Sequence, residues 1–116
     1  MRLIYTTCPY PEEARSIAKK LVEEKVVACA NYWVIKSLHI FEDTFKERDE
    51  TALLLRVAVS RLNEARTRLR EMHSYSVPAI IVLKPEAVNN HYMQWVHECC
   101  GSPEEKKETQ DQSSSL

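Results

Sequence analysis

A chain of 116 residues is one domain's worth, large enough for a modest core and near the size at which self-association adds stability. Hydrophobic residues make up 44% of it, which excludes wholesale disorder, and a net charge of −1 leaves no basic footprint for nucleic acid or an anionic membrane. No apolar run approaches the ~20 residues of a membrane span, and Met1-Arg2 leads into a strand-like run rather than a signal peptide, so a cytoplasmic protein is expected.

In chain order, Arg2 to Thr7 reads as a strand. Pro11-Glu12-Glu13 then opens a helix, with proline and acids in the first turn. Ala14, Ile17, Ala18, Leu21 and Val22 fall at i, i+3, i+4, i+7 and i+8, a stripe that buries one helix face. Glu12-Glu13 and Glu23-Glu24 read as solvated charge on its outer arc. Val26 to Val34, β-branched and aromatic, predicts a strand that Leu38 to Phe41 continues. Glu42 to Glu50 is charged and reads as a connection. Thr51 to Val59 is a nearly continuous apolar strand, interrupted by Arg56. Ser60 is placed to cap a helix that turns Leu62, Ala65, Leu69 and Met72 inward. The fourth main strand spans Pro78 to Leu83. Asn89 or Asn90 caps a last helix with Tyr92, Trp95, Val96 and Cys99 on one side.

The order β-α-β-β-α-β with an appended helix predicts an α+β, ferredoxin-like domain over residues 1–100, two helices covering one face of a four-stranded sheet. Its middle strands are apolar on both faces, which calls for a partner over the other face, most simply a second copy. Residues 101–116 are polar, carry Pro103 and end in three serines, and read as a disordered tail.

The segment His73-Ser74-Tyr75-Ser76-Val77-Pro78 stands out between the second helix and the fourth strand. Pro78 biases Val77 toward an extended backbone. Two readings of His73 stand side by side: a helix-end cap favoured by the dipole, and a metal or proton ligand on a loop. Cys8, Cys29, Cys99 and Cys100 show no CxxC spacing, so reduced thiols are expected, with Cys29 a small core residue and Cys99-Cys100 at a frayed helix end. His91 and His97, six apart, do not share a helix face. His39 reads as solvent or interface. Tyr32-Trp33 and Trp95, without a basic groove, read as core or subunit contacts. No phosphate-binding glycine loop, nucleophile elbow or HExxH occurs, so no enzymatic activity is expected.

The chain resembles the CutA family, named for divalent-cation tolerance, over about residues 2 to 97. The matching segments, in register, are the early helix running into Ala28-Cys29-Ala30-Asn31, Ser37-Leu38-His39-Ile40-Phe41-Glu42-Asp43, Leu53-Leu54-Leu55-Arg56, His73-x-Tyr75-x-Val77-Pro78 and Tyr92-Met93-Gln94-Trp95. The resemblance implies a ferredoxin-like subunit, a cytosolic homotrimer built by pairing strands between subunits, no enzymatic activity, and binding of copper or another divalent metal. It also implies likeness to PII-type trimers, which hold small ligands between subunits. Some positions depart from the family's pattern. Ala79 replaces an acid after Pro78, Ser74 replaces proline, Asp43 replaces a hairpin glycine, and Thr6 stands where a cysteine is usual, with Cys8 two residues on.

The expected metal site is therefore anchored by His73, with Tyr75 and Cys8 as further donors and Thr6 nearby, and copper as the ion. A PII-like ligand sensor and a trimeric protein-interaction platform are the alternative functions. Because Ser102 to Leu116 offers no apolar face, a chain truncated after Cys100 should melt within a degree or so of the full chain and keep its assembly state. Differential scanning calorimetry with sedimentation checks this; a clear loss of stability would mean that the tail docks.

Overall fold

Arg2–Cys8 forms strand β1, in which burial alternates so that Ile4, Thr6 and Cys8 face the core. The computed structural model of the chain describes residues 1–101. Pro11–Glu23 follows as helix α1, then strands β2 (Cys29–Phe41) and β3 (Thr44–Val57), helix α2 (Leu62–Met72), strand β4 (Ile81–Leu83) and helix α3 (Asn90–Cys100). The sheet order is β2-β3-β1-β4, with every neighbouring pair antiparallel. This is the expected α+β ferredoxin-like arrangement, with the extra C-terminal helix in place. The expected tail lies, beyond Gly101, outside the described residues.

Ile4, Cys8, Leu53, Leu55 and Val57 of the sheet pack against Ala14, Ile17 and Leu21 of α1 and Ala65 and Leu69 of α2. The apolar stripe of α1 does as its spacing predicts, although Val22 at its margin stays exposed. α1 stops in a Schellman arrangement. Lys25 takes a positive φ of 61°, its amide bonds the Val22 carbonyl at 3.0 Å, and the Val26 amide bonds Leu21 at 2.9 Å. Buried Val26 meets buried Leu21 as part of that cap. The cap also explains why β2 begins at Cys29 and not at Val26, since Val26 to Ala28 carry the chain out of the helix.

Three further readings are corrected. Glu42 to Glu50 is not a connection: the turn is only Glu42-Asp43, at φ 52° and 64°, and Phe41 pairs with Thr44. Two residues at positive φ between paired strands match the twist of a hairpin, and the charges are tolerated because this ribbon stands clear in solvent. Ser60 caps nothing; it lies in a 3₁₀ turn, Val59–Arg61, that precedes α2. The last strand shrinks to Ile81–Leu83, leaving Pro78 to Ile80 outside the ladder.

α3 turns Val96 and Cys100 into the core and leaves Tyr92 and Trp95 stacked on each other at 5.6 Å and partly exposed. Its end is not frayed at Cys100. Arg61, only 1% exposed, donates to the Cys100 carbonyl at 2.9 Å and pairs with Glu64 at 2.8 Å.

A lysine held in the left-handed region costs on the order of 1 kcal/mol against glycine, partly offset by glycine's greater entropy when unfolded. Lys25→Gly should therefore raise stability by about 0.5 kcal/mol or more, read as a higher urea midpoint at unchanged slope. A lower midpoint would show that the Lys25 side chain stabilises the fold by more than its backbone strain costs.

Candidate metal site

α2 ends at Met72, and His73 turns extended at φ −76°, ψ 139° while its amide still bonds the Leu69 carbonyl at 3.0 Å. Its backbone thus caps the helix. Its side chain does something else: it turns inward and is 8% exposed. The ring's Nδ1 accepts the Tyr75 amide at 3.1 Å, so that nitrogen carries no proton. Nε2 then holds the proton and donates it to the Thr7 carbonyl at 2.9 Å, with Cys8 Sγ at 4.0 Å. One neutral imidazole ties the end of α2 to the end of β1.

The structure brings Cys8 and His73 together, as expected, and adds a donor that the sequence reading placed in solvent. Of the pair Glu12-Glu13, only Glu12 is exposed as expected. The Glu13 carboxylate lies 3.7 Å from His73 Nδ1, accepts the Ser74 amide at 3.0 Å, and is 11% exposed. The signal was there to be read: residues 13, 17 and 21 form one i+4 row, and Ile17 and Leu21 are core.

Cys8 Sγ, a Glu13 oxygen and a His73 ring nitrogen lie within 4.8 Å of one another, and this is the one such group of three or more His, Cys, Asp or Glu among the described residues. Ligand bonds of about 2.0–2.3 Å would hold tetrahedral donors roughly 3.3–3.8 Å apart, so a small inward movement closes the set on an ion. Thiolate, imidazole and carboxylate together suit a borderline divalent metal. The hydroxyls of Thr6 and Thr51 are buried without a partner, and Thr51 pairs across the ladder with Cys8. A water on an ion here would give such hydroxyls a partner. The residues fit a metal.

They are also arranged to hold together without one. Burial, reinforced by the charges of Glu13 and Glu50, pushes the Cys8 thiol up to about 12. Both ring nitrogens of His73 are engaged. An ion must therefore displace the thiol proton and one ring hydrogen bond.

Tyr75 stands beside His73, ring centroids 5.0 Å apart, but its hydroxyl is directed elsewhere. It donates to Glu50 at 2.5 Å, while Ser37 donates to the other Glu50 oxygen at 2.6 Å and Arg48 approaches at 3.5 Å. Burial would raise the Glu50 carboxyl, but bonds from Ser37 and Tyr75 and the charge of Arg48 outweigh it and hold it below the usual carboxylate range. Burial and the Glu50 carboxylate push the Tyr75 phenol up to about 12. Tyr75 thus lies outside the three-donor group, as does Thr6. His39 and His91 are exposed, and His97, Cys99 and Cys100 belong to no donor group among the described residues.

Residues 2–99 match the sequence profile of the CutA1 divalent ion tolerance protein. The chain belongs to the CutA1 family. The crystal structure of divalent ion tolerance protein CutA1 from Ehrlichia chaffeensis is 35% identical, with a TM-score of 0.82 over 85% of this chain and 94% of that one. The periplasmic divalent cation tolerance protein CutA of Archaeoglobus fulgidus is 34% identical, with a TM-score of 0.80 over 86% of this chain and 99% of that one. The PII-like protein CutA from Nostoc sp. PCC 7120, in apo form, is 28% identical, with a TM-score of 0.77 over 83% and 93%. The CutA fold is therefore shared along nearly the whole described chain. Among the described residues no helix is long and apolar enough to cross a membrane.

A hydrogen bond to a buried carboxylate is worth about 1.5–3 kcal/mol, so Tyr75→Phe should destabilise the protein by that amount at pH 7. Glu50's depressed value contributes stability that is present above its unfolded value and lost as pH falls through its folded one. The gap between the two proteins should therefore narrow below about pH 4. Urea unfolding at pH 7 and pH 3 measures it; an equal gap at both would separate Tyr75 from the charge on Glu50.

Proposed function

We propose that this CutA-family chain is a homotrimer that binds a divalent metal, copper, at Cys8, Glu13 and His73, and serves metal tolerance or signalling as a binding protein rather than an enzyme. The observation that carries the metal reading is the convergence of those three donors within 4.8 Å. Copper stands at the top of the divalent affinity order for nitrogen, oxygen and sulfur donors, which favours it over zinc at equal availability. Tyr75 acts as a neighbour that orients His73 through its amide, and is a ligand only if its phenol leaves Glu50. The cytoplasm, where thiols stay reduced, suits a site built on a free cysteine, although the Archaeoglobus relative is described as periplasmic.

The trimer is supported by the hairpin of β2 and β3. Beyond the span covered by the helices, Val34, Leu38, Ile40, Phe41 and Phe45 are each more than half exposed. Apolar side chains along a two-stranded arm with no cover in its own chain call for neighbouring subunits. Trp33 on β2 and Ile81 and Leu83 on β4 are also nearly half exposed and extend that surface.

The second reading is a PII-like small-ligand sensor. It is favoured by the description of the Nostoc relative and by the Arg48, Tyr75 and Glu50 cluster at the base of the arm. A phospho-ligand screen against this chain separates it from the metal reading.

Calorimetric titration of the full chain with copper should give one specific site per subunit. His73→Ala, Cys8→Ser and Glu13→Gln should each weaken it at least as much as the ~10–100-fold seen when only an outer-shell partner is lost. Cobalt(II) should give a sulfur-to-metal charge-transfer band that Cys8→Ser abolishes. Unchanged titrations in all three variants would remove the site. In sedimentation equilibrium the protein should be a trimer with an interface of the obligate class, ~2,000 Å² or more; a stable folded monomer at micromolar concentration would overturn the assembly.

A further inference from the structure

Residues 74–78 leave the end of α2 with two consecutive backbone N–H groups turned to the same corner. The Ser74 amide donates to Glu13 Oε2 at 3.0 Å, and the Tyr75 amide donates to His73 Nδ1 at 3.1 Å. That oxygen and that nitrogen stand 3.7 Å apart. Donors on one tetrahedral ion lie roughly 3.3–3.8 Å apart. Glu13 and His73 Nδ1 are therefore already at ligand spacing, and amides of one short segment are seated on both.

The two seats are not equivalent. A carboxylate has several lone pairs and can accept an amide while it ligates, but Nδ1 has one. The Tyr75 amide occupies it. Ligation through Nδ1 keeps the bond from Nε2–H to the Thr7 carbonyl at 2.9 Å, the kind of outward donation that orients a ligating histidine. Ligation through Nε2 would break that bond and move the ring proton to Nδ1, which ends the Tyr75 bond as well. Either route removes the Tyr75 amide, and the first sacrifices less.

Tyr75 is also held from its far end. Its hydroxyl donates to Glu50 at 2.5 Å, Ser37 donates to the other Glu50 oxygen at 2.6 Å, and Arg48 lies over the ring at 5.7 Å. Glu50 is on β3 and Ser37 on β2, paired strands of the arm. One stiff aromatic side chain thus spans from the base of the arm to the imidazole, and its outer hold keeps its amide in place on the ring.

We propose that the Tyr75 backbone amide is the gate of the metal site: it fills the lone pair that a divalent ion needs, and its grip on Glu50 at the base of the arm sets how tightly the gate is shut. The inference rests on the metal reading of Cys8, Glu13 and His73. When His73 ligates, Tyr75 gives up its inner hold while Ser74 stays seated on Glu13. The exposed stretch that follows, with Val77 87% exposed, is then freed from the corner. Coupling is reciprocal, so a change that loosens Tyr75 from Glu50 favours the ion.

The test titrates the full chain with zinc, which is diamagnetic and leaves the thiol reduced, and follows uptake by calorimetry and single amides by hydrogen exchange in NMR. In the metal-free protein the Tyr75 amide should exchange slowly. Zinc should speed it about tenfold or more, while the Ser74 amide beside it keeps its protection. Tyr75→Phe, which keeps the amide and loses the hydroxyl, should bind zinc about fivefold or more tightly than the natural chain. A phenol ligand, or a tyrosine that merely steadies His73, would give the opposite sign. Zinc uptake with the Tyr75 amide still protected, or a Tyr75→Phe affinity that is unchanged or weaker, would overturn the gate and leave the metal site standing. No zinc uptake by either protein would remove the metal site and the gate with it.

Discussion

The pairing of β1 with β3, from Arg2 opposite Val57 to Cys8 opposite Thr51, is the constraint on which the other elements depend. It places β1 between β3 and β4, so that the shortest strand of the sheet is held by an inner one. It also sets the faces. With Ile4, Thr6 and Cys8 turned to the helices, the ladder carries Cys8 to the end of the sheet where α1 begins and α2 ends. A slip by one residue would turn Cys8 to the opposite face and dissolve the donor group. The site is therefore a consequence of register before it is a consequence of any single side chain.

At that corner the energetics favour a closed, proton-bearing state until an ion arrives. His73 gives and receives hydrogen bonds with two backbone groups, and the buried Cys8 thiol keeps its proton. Metal binding has to exchange those protons and bonds for ligation, so affinity is coupled to proton release. Glu13 lies on the Nδ1 side of the ring, while Cys8 lies nearer Nε2. An ion shared by all three must choose one ring nitrogen. Choosing Nδ1 breaks the Tyr75 amide bond, and choosing Nε2 breaks the bond to the Thr7 carbonyl.

The fold was legible because two independent periodicities marked it. The i+3/i+4 stripe of α1 and the apolar runs of β1 and β3 specify layers, and their order admits few topologies. The hairpin was not legible, because Lys46, Glu47, Arg48 and Asp49 read as loop by polarity. Their polarity instead reflects a ribbon that its own chain covers on neither face, on which Lys36 and Asp49 pair at 2.6 Å. The approach of His73 to Cys8 was legible from residue type and strand spacing. Glu13 was missed because acids in a first helical turn are common for reasons of the dipole alone, and that general rule masked its place on the core row. Tyr75 was expected in the donor set for its proximity, which is right, while its hydroxyl obeys a stronger partner in Glu50, a residue of the misread hairpin.

Four cysteines of one chain show how local dielectric and charge, not residue type, assign chemistry. Cys8 is fully buried beside two acids, which together keep the proton on its thiol. Cys100 is equally buried and its backbone, not its sulfur, is what Arg61 uses. Cys29 and Cys99 are only half-buried, and Cys29 accepts a hydrogen bond from Arg56 at 3.1 Å. The same helix end that Arg61 anchors through Cys100 therefore fixes where Cys99 stands. Arginine appears twice here in opposite roles: buried Arg61 satisfies a helix-end carbonyl and holds α3 in place, and half-exposed Arg56 lends its charge to a sulfur.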